Sequence, residues 1–239
     1  KKAVVVVLGM HRSGTSAVAG MFHELGCDLG QNLMASAEDN PDGFWENQSI
    51  VDLHDEFLRD VDSNWDDLRL IPEGAWESPK VAGYRHRLLD ILRREFDPGA
   101  PWCIKDPRMC RLLPLWGPVF ESAGRRPVPV VCVRQPYEVV SSLLRRNGFS
   151  TEKSLYLWLQ HTLLSEAGTR GDGRYFVDYG GLVEGREAVL AELHSCLADI
   201  GLDEVDRGAV AARFDGAKRH SSNSLIPRSD AEVSTMALE

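Results

Sequence analysis

VVVVLGMHRSGTS, residues Val4–Ser16, sets the architecture of the whole chain. Its first five residues are all apolar, which is typical of a strand buried on both faces of a parallel sheet. A loop bracketed by Gly9 and Gly14 follows, and Thr15 opens a segment whose apolar residues recur at helical spacing. A strand, a glycine-bracketed loop and a helix N-terminus form a phosphate-binding geometry, because free backbone N–H groups and the helix dipole both favour an anion.

This loop is nearly a Walker A motif, G-x-x-x-x-G-K-[ST], but Thr15 stands where that motif has its lysine. Arg12, earlier in the loop, is the cation that the loop itself provides. Phosphotransferases that use ATP or GTP place the lysine on the β- and γ-phosphates and the next hydroxyl on Mg²⁺. The sequence therefore predicts a loop that binds phosphate without being built for γ-phosphate transfer. A glycine-rich turn that binds nothing is the alternative.

The 239 residues are expected to form a single α/β domain with a large core. The formal net charge of −9 argues against a broad nucleic-acid-binding surface, so an anionic ligand has to be met by local cations. The five cysteines include no C-x-x-C pair, which favours a reducing, cytoplasmic compartment and argues against a zinc site or a disulfide framework. No apolar run reaches the roughly 18 residues that a membrane span needs.

Strands and helices are predicted to alternate along the chain. Beyond the first strand, short apolar runs predict strands at 101–104, 128–133 and 174–177. This alternation predicts an α/β fold, a P-loop-like three-layer sandwich with a central parallel sheet of four to five strands and helices on both faces. Parallel strands end at one edge of their sheet, so Lys105, Arg134 and Tyr179 are expected to lie beside the first loop.

The sequence also predicts the structure of three segments outside the strands. Residues 111–120 are predicted to be a helix interrupted by Pro114 and Pro118. Residues 151–166 are predicted to be a helix whose buried apolar stripe is formed by Leu155, Trp158, Leu159, Thr162 and Leu163. The polar residues from about 217 to 239 are either a flexible tail or a lid that folds over a bound anion, and the lid would contribute Arg219.

Four motifs, in this order, resemble the sulfotransferases that use 3′-phosphoadenosine 5′-phosphosulfate (PAPS), including bacterial members of that family. HRSGTS is similar to the loop that holds the 5′-phosphosulfate, with Arg12 where the cytosolic enzymes have lysine. The stretch KDP, residues 105–107, is similar to the strand-end lysine motif of the tyrosylprotein sulfotransferases. Arg134 and Ser142 look like the 3′-phosphate clamp, and Tyr179 looks like the tyrosine beside the adenine.

The resemblance implies in-line transfer of a sulfuryl group from PAPS to a hydroxyl or amine, with adenosine 3′,5′-bisphosphate (PAP) as the product and no metal required. Arg12, Lys105 and the loop N–H groups would stabilise the negative charge that builds up. The acceptor stays open among small molecules, carbohydrates, lipids and peptides, and the oligomeric state stays open too. The residues expected to bind PAPS are His11, Arg12, Ser13, Gly14, Thr15, Ser16, Arg134, Ser142, Tyr179 and, from the lid, Arg219.

PAPS has two separated anionic groups, at its 3′ and 5′ positions. It therefore needs two cation sites on one edge of the sheet. The loop with Arg12 is expected to be one anchor, and Arg134 with Ser142 is expected to be the other. Such a 3′-phosphate clamp would distinguish PAPS from ATP.

The general base is the least determined part of this mechanism. Glu46 matches the base of the tyrosylprotein enzymes best, and the two aromatic residues before it are expected to raise its pKa by desolvation. The alternative for Glu46 is an acid that complements the dipole at a helix N-terminus. His54 is the second candidate, or else an ordinary surface histidine. Asp106 is the third, or else a structural acceptor that holds Lys105 or nearby amides.

Two other functions stay open. A P-loop kinase of a small metabolite is disfavoured by the missing lysine. A non-catalytic nucleotide-binding module of a biosynthetic assembly would bind the nucleotide without transfer. Trp45, Trp65 and Trp76 are either acceptor-pocket residues or part of the core.

Overall fold

The computed structural model describes residues 1–37, 40, 43–171, 173–202, 204, 205, 208, 210 and 214. Within these residues the strands are β1 (Lys2–Leu8), β2 (Trp102–Lys105), β3 (Arg125–Val133) and β4 (Tyr175–Asp178). The helices are α1 (Thr15–Glu24), α2 (Gln48–Asp60), α3 (Glu73–Trp76), α4 (Pro79–Glu95), α5 (Met109–Ser122), α6 (Pro136–Asn147), α7 (Thr151–Gly168), α8 (Tyr179–Val183) and α9 (Glu187–Asp199). Arg219 and the predicted tail or lid lie outside the described residues.

The four strands form one sheet in the order β2-β1-β3-β4, and each neighbouring pair is parallel. β1 is central, so that Val5 is level with Cys103 of β2 on one side and with Val128 of β3 on the other. Valine recurs in β1 because a central strand of a parallel sheet is covered on both faces. The predicted α/β class and the predicted strand positions are confirmed.

The side chains of β1 alternate between two cores, as a strand requires. Val4, Val6 and Leu8 pack with residues of α2, α4 and α5. Val5 and Val7 pack with residues of α1 and α9 on the opposite face. Helices therefore cover both faces of the sheet, and the predicted three-layer arrangement is confirmed.

α5 is continuous from Met109 to Ser122, so the predicted interruption at its two prolines is wrong. A proline lacks the N–H that would reach the carbonyl four residues earlier. For Pro118 that carbonyl belongs to Pro114, and Nη2 of Arg85 in α4 donates to it at 3.1 Å. A donor from a neighbouring helix thus replaces the missing hydrogen bond.

α7 buries a different face from the predicted stripe. Its buried residues are Ser154, Leu157, His161 and Ser165. Leu159 and Leu163, which the stripe would bury, are 44% and 55% exposed. The small hydroxyl side chains can be buried because they donate to carbonyls one turn earlier, as Ser165 Oγ does to the His161 carbonyl at 2.7 Å. This small face lets α5 approach closely, since a Cβ on Gly168 would lie 2.5 Å from Leu113.

The cysteines and the length of the helices bear on the predictions made from composition. The five cysteines are all buried free thiols. In the part of the chain that the structure describes, no helix combines the length and the apolar character that crossing a bilayer requires.

The order of the strands locates the candidate site. β1 is followed by β2 towards one edge of the sheet, and β3 is followed by β4 towards the other edge, so the chain leaves the carboxyl ends of β1 and β3 in opposite directions. In open parallel sheets, ligands bind in the crevice at such a point. The loop after β1 and Arg134 after β3 border this crevice.

Candidate active site

The loop after β1 has a positive backbone φ at both of its ends, a conformation that glycine adopts easily. Gly9 and Gly14 have φ values of +143° and +89°. A Cβ at Gly14 would lie 2.0 Å from the ring of Tyr179, so this ring rests directly on the loop. Ser13 and Thr15 are buried. Gly14 is also the N-cap of α1 and has no side chain to accept from the first-turn N–H groups, so an anion can accept from them.

Arg12 and Arg134 meet on this loop. Nε of Arg12 donates to Ser142 Oγ in α6 at 2.8 Å. Arg134 donates through Nη1 to the carbonyl of Arg12 at 3.1 Å and through Nε to Glu138 at 2.7 Å. The two cation sites predicted for the 5′ and 3′ ends of PAPS are therefore not separate in this arrangement. Because β1 and β3 are neighbours in the sheet, the two arginines that follow them belong to one hydrogen-bonded cluster.

Tyr179 opens α8 and lies between the loop and Arg134. The Asp178 side chain caps α8 by accepting from two backbone N–H groups of its first turn, each at 3.2 Å. Cζ of Arg134 lies 5.1 Å from the centre of the Tyr179 ring, within the range of a cation–π contact. Trp158 of α7 donates its indole N–H to the carbonyl of Arg134 at 3.0 Å. The aromatic ring and both arginines thus border the same edge of the loop.

Lys105, at the end of β2, directs its three ammonium hydrogens at three protein acceptors. They are Glu46 Oε1 at 2.5 Å, the Phe44 carbonyl at 3.0 Å and Ser16 Oγ at 3.1 Å. The side chains of Lys105 and Glu46 are only 2% and 5% exposed. Because Ser16 belongs to the first turn of α1, this buried ion pair connects the end of β2 directly to the loop.

Glu46 lies just before Asn47, the residue that caps α2. Burial raises the pKa of Glu46, and the attraction of Lys105 does not cancel that effect. The direction predicted for this pKa is confirmed. Oε2, the oxygen that Lys105 does not hold, lies 3.6 Å from Nη1 of the Arg108 guanidinium.

Arg108 is a site residue that the sequence-based prediction lacks. Its side chain is 11% exposed, and it donates to Asp55 at 2.6 Å and to Asp106 at 2.9 Å while facing Glu46. Its signal in the sequence is its place in the charged run directly after a buried strand, at the edge of the sheet where ligands bind.

His54 is fully buried, and both of its ring nitrogens are engaged. Nδ1 lies 2.7 Å from Asp106 Oδ2, and the indole Nε1 of Trp116 lies 2.9 Å from Nε2. An indole N–H only donates, so Nε2 accepts, and the proton of the neutral ring is assigned to Nδ1, where it donates to the carboxylate. This geometry argues against His54 as the general base and against its being a surface histidine.

Asp106 is a structural acceptor. It accepts from His54 and from both the backbone N–H and the guanidinium of Arg108, the last two at 2.9 Å. Burial alone would raise the pKa of Asp106, but the Arg108 charge and the His54 hydrogen bond outweigh it, and the pKa lies well below its usual range. A carboxylate that is so difficult to protonate is a poor general base. The prediction that Asp106 holds nearby amides is confirmed.

The three tryptophans singled out in the sequence occupy different places. Trp76 stacks on a core ring of α2 at 5.4 Å. Trp45 lies 4.9 Å from the ring of His23 in α1, and Trp65 lies 4.5 Å from the ring of His11 in the loop. Burial lowers the pKa of His11 well below its ordinary value, so this ring is neutral. Trp65 therefore contacts the loop, whereas Trp45 packs on the core of α1 and α9 and Trp76 packs on the core of α2 and α4.

No protein-family model matches this chain, and no curated protein matches it. Among solved structures, the chain is similar to the sulfotransferase domain from the Synechococcus PCC 7002 olefin synthase. The two chains are 16% identical with a TM-score of 0.46, over 90% of this chain and 81% of that one.

Proposed function

We propose that this chain transfers a sulfuryl group from PAPS to a hydroxyl or amine of an acceptor. The observation behind the proposal is the convergence of cations from three adjacent strands on the loop between Gly9 and Gly14. Arg12 belongs to the loop after β1, and Arg134 after β3 donates to the carbonyl of Arg12. Lys105 at the end of β2 donates to Ser16 at the start of α1. A group of cations around one loop suits a nucleotide that carries anionic groups at both its 3′ and 5′ positions.

In this proposal the 5′-phosphosulfate lies on the first-turn N–H groups of α1, with Arg12 and Lys105 beside it. Ser16 is the most distant of the three acceptors of Lys105, at 3.1 Å, and we infer that a phosphosulfate oxygen replaces it. Arg12 likewise exchanges its bond to Ser142 for an oxygen of the cosubstrate. Ser142 is then free to hold the 3′-phosphate together with Arg134.

The acceptor oxygen or nitrogen forms a bond to sulfur while the bond from sulfur to the bridging oxygen of the 5′-phosphate breaks. The proton of the acceptor passes to Oε2 of Glu46, because Oε1 is held by Lys105 at 2.5 Å. A carboxyl with a raised pKa is better suited to this task near neutral pH than an ordinary one. PAP leaves with the electron pair of the broken bond. Arg12 and Lys105 stabilise its charge, and each such preorganised donor is worth a few kcal/mol.

Calorimetric titration with PAP and with AMP tests the nucleotide assignment. Arg134→Ala should weaken PAP binding by about 10- to 100-fold through loss of charge-assisted hydrogen bonds, with a much smaller effect on AMP. Arg145→Ala, which removes an exposed arginine of the same region in α6, is the matched control and should leave both affinities unchanged. A wild-type chain that does not bind PAP contradicts the proposal, and equal losses for PAP and AMP contradict the role of Arg134.

Transfer is tested with radiolabelled PAPS and a panel of phenols, alcohols and amines. Glu46→Gln should lower kcat by about 100-fold or more at unchanged PAP affinity, because loss of a general base typically costs 10²- to 10⁴-fold. Glu56→Gln, which removes a partly exposed carboxylate of α2, should transfer normally. PAP binding without transfer to any acceptor would favour the non-catalytic module, and Mg²⁺-dependent ATP turnover would favour the kinase.

A further inference from the structure

Trp45 has a backbone conformation that bulky residues avoid. Its φ is +57°, in the left-handed region, where a Cβ is disfavoured and glycine is favoured. In the described chain, Arg12 of the loop and Asp62 after α2 are the other non-glycine residues with a positive φ. A tryptophan held in this way next to a candidate catalytic carboxylate indicates that the local turn serves the site.

The turn at Trp45 brings groups from both of its neighbours to the same atom. The carbonyl of Phe44 lies 3.0 Å from Nζ of Lys105, and Oε1 of Glu46 lies 2.5 Å from it. In an extended chain, carbonyls lie in the plane of the strand whereas side chains stand roughly perpendicular to it. The two groups can share one ammonium because the chain turns sharply between them.

The indole of Trp45 holds this turn against α1. Its ring lies 4.9 Å from the ring of His23, and it packs on the core that α1 and α9 form. On the other side of the turn, the backbone N–H of Met34 donates to the carbonyl of Glu46 at 2.8 Å. The left-handed residue is therefore held from both sides, which is the condition for such a conformation to persist.

We propose that Trp45 is a positioning residue for this site. Its left-handed backbone, anchored by the indole on α1, holds the Phe44 carbonyl and the Glu46 carboxylate on the ammonium of Lys105. It thereby sets the direction in which the carboxylate faces an acceptor. The consequence for turnover rests on the proposed sulfuryl transfer, whereas the placement of Glu46 on Lys105 does not.

Three variants separate the backbone of Trp45 from its ring: Trp45→Gly, Trp45→Ala and Trp45→Val. All three lose the indole, and they differ in how readily they adopt a positive φ. Glycine does so freely, alanine with a penalty, and β-branched valine least readily. If Trp45 acted through packing alone, the variants would rank in the opposite order of activity, because valine restores the most apolar contact and glycine restores none.

Two measurements are made on each variant and on the wild type. The first is kcat for transfer from PAPS to 2-naphthol, at saturating PAPS. The second is the titration of Glu46, followed by ¹³C NMR of carboxyl-labelled glutamate and assigned with Glu46→Gln. We expect kcat to fall in the order glycine, alanine, valine, with the first about tenfold above the last and PAP affinity equal in all three. The titration midpoint of Glu46 should stay nearest to that of the wild type in Trp45→Gly.

If kcat and the titration midpoint of Glu46 are equal in the three variants, or if kcat falls in the order valine, alanine, glycine, the proposal is overturned and Trp45 is a packing residue. If Trp45→Val does not fold, the comparison of glycine with alanine gives the same test. If the wild type binds PAP and transfers nothing to 2-naphthol or to the acceptor panel, the proposed function fails. The order of the Glu46 titrations still decides whether Trp45 positions that carboxylate.

Discussion

Removing the ammonium of Lys105 should destabilise the fold, because it leaves the buried carboxylate of Glu46 with the more distant guanidinium of Arg108, at 3.6 Å, in place of a direct ion pair. The two side chains are 2% and 5% exposed, and their charged atoms lie 2.5 Å apart. Breaking a buried ion pair from one side costs about 3–5 kcal/mol of the free energy of unfolding. Lys105→Met is the appropriate change, since it keeps the length of the side chain and removes the charge.

The loss of stability in Lys105→Met should depend on pH, and the titration of Glu46 decides whether stability rises or falls with pH. Burial already raises the pKa of Glu46, and removing Lys105 takes away the largest effect that opposes burial. The folded-state pKa in the variant then lies further above the unfolded value, which is about 4.3. Between these two values the folded chain keeps a proton that the unfolded chain has lost. The free energy of unfolding therefore falls as pH rises, by about 1.4 kcal/mol per pH unit, over about two units for a loss of about 3 kcal/mol, and then levels off.

Urea denaturation between about pH 4.5 and 8 measures this difference. The double variant with Lys105→Met and Glu46→Gln has no charge at either position, so it should recover most of the loss at neutral pH. Lys153→Met is the matched control: its pair with Asp66 has the same 2.5 Å distance, but the side chains are 35% and 20% exposed. We expect it to cost no more than about 1 kcal/mol. If Lys105→Met costs no more than this control and adds no pH dependence, Lys105 and Glu46 do not form a desolvated pair.

Three further changes test other contacts. Gly14→Ala should abolish PAP binding in calorimetry, because a Cβ there would lie 2.0 Å from the Tyr179 ring, whereas Gly83→Ala meets nothing within 4 Å and should bind normally. Burial lowers the pKa of His161 to about 4, so as pH falls this imidazole binds a proton in the unfolded chain before it does so in the folded chain. His161 should then contribute a fall of about 3 kcal/mol to the free energy of unfolding from about pH 6.5 to 4, and in urea titrations the fall in His161→Gln should be smaller by about that amount. The guanidinium of Arg111 donates to two carbonyls and a hydroxyl of the segment after α2, so Arg111→Met should make that segment the first site of tryptic cleavage. Normal PAP binding by Gly14→Ala, an unchanged pH profile or an unchanged cleavage pattern would each contradict the contact concerned.

Where the sequence-based prediction failed, the information lay in a distant partner. Leu159 and Leu163 have the hydrophobicity of buried residues, yet α7 turns its small residues inward because they let α5 approach closely. His54 has the chemistry of a base, yet its ring nitrogens meet Asp106 and Trp116, which are 52 and 62 positions away along the chain. A single sequence contains no local signal for contacts of this range.

The strands, the glycine-bracketed loop after β1 and the set of charged residues at the strand ends could all be predicted, because they depend on the backbone preferences of near neighbours. A run such as Val4–Leu8 suits a strand covered on both faces, and glycines suit the turn that follows it. The bonds that make these residues a site arise in the fold. Arg12 meets Ser142 and Lys105 meets Glu46 because strands and helices far apart in the chain end at one edge of the sheet, where geometry and burial choose each side chain's partner.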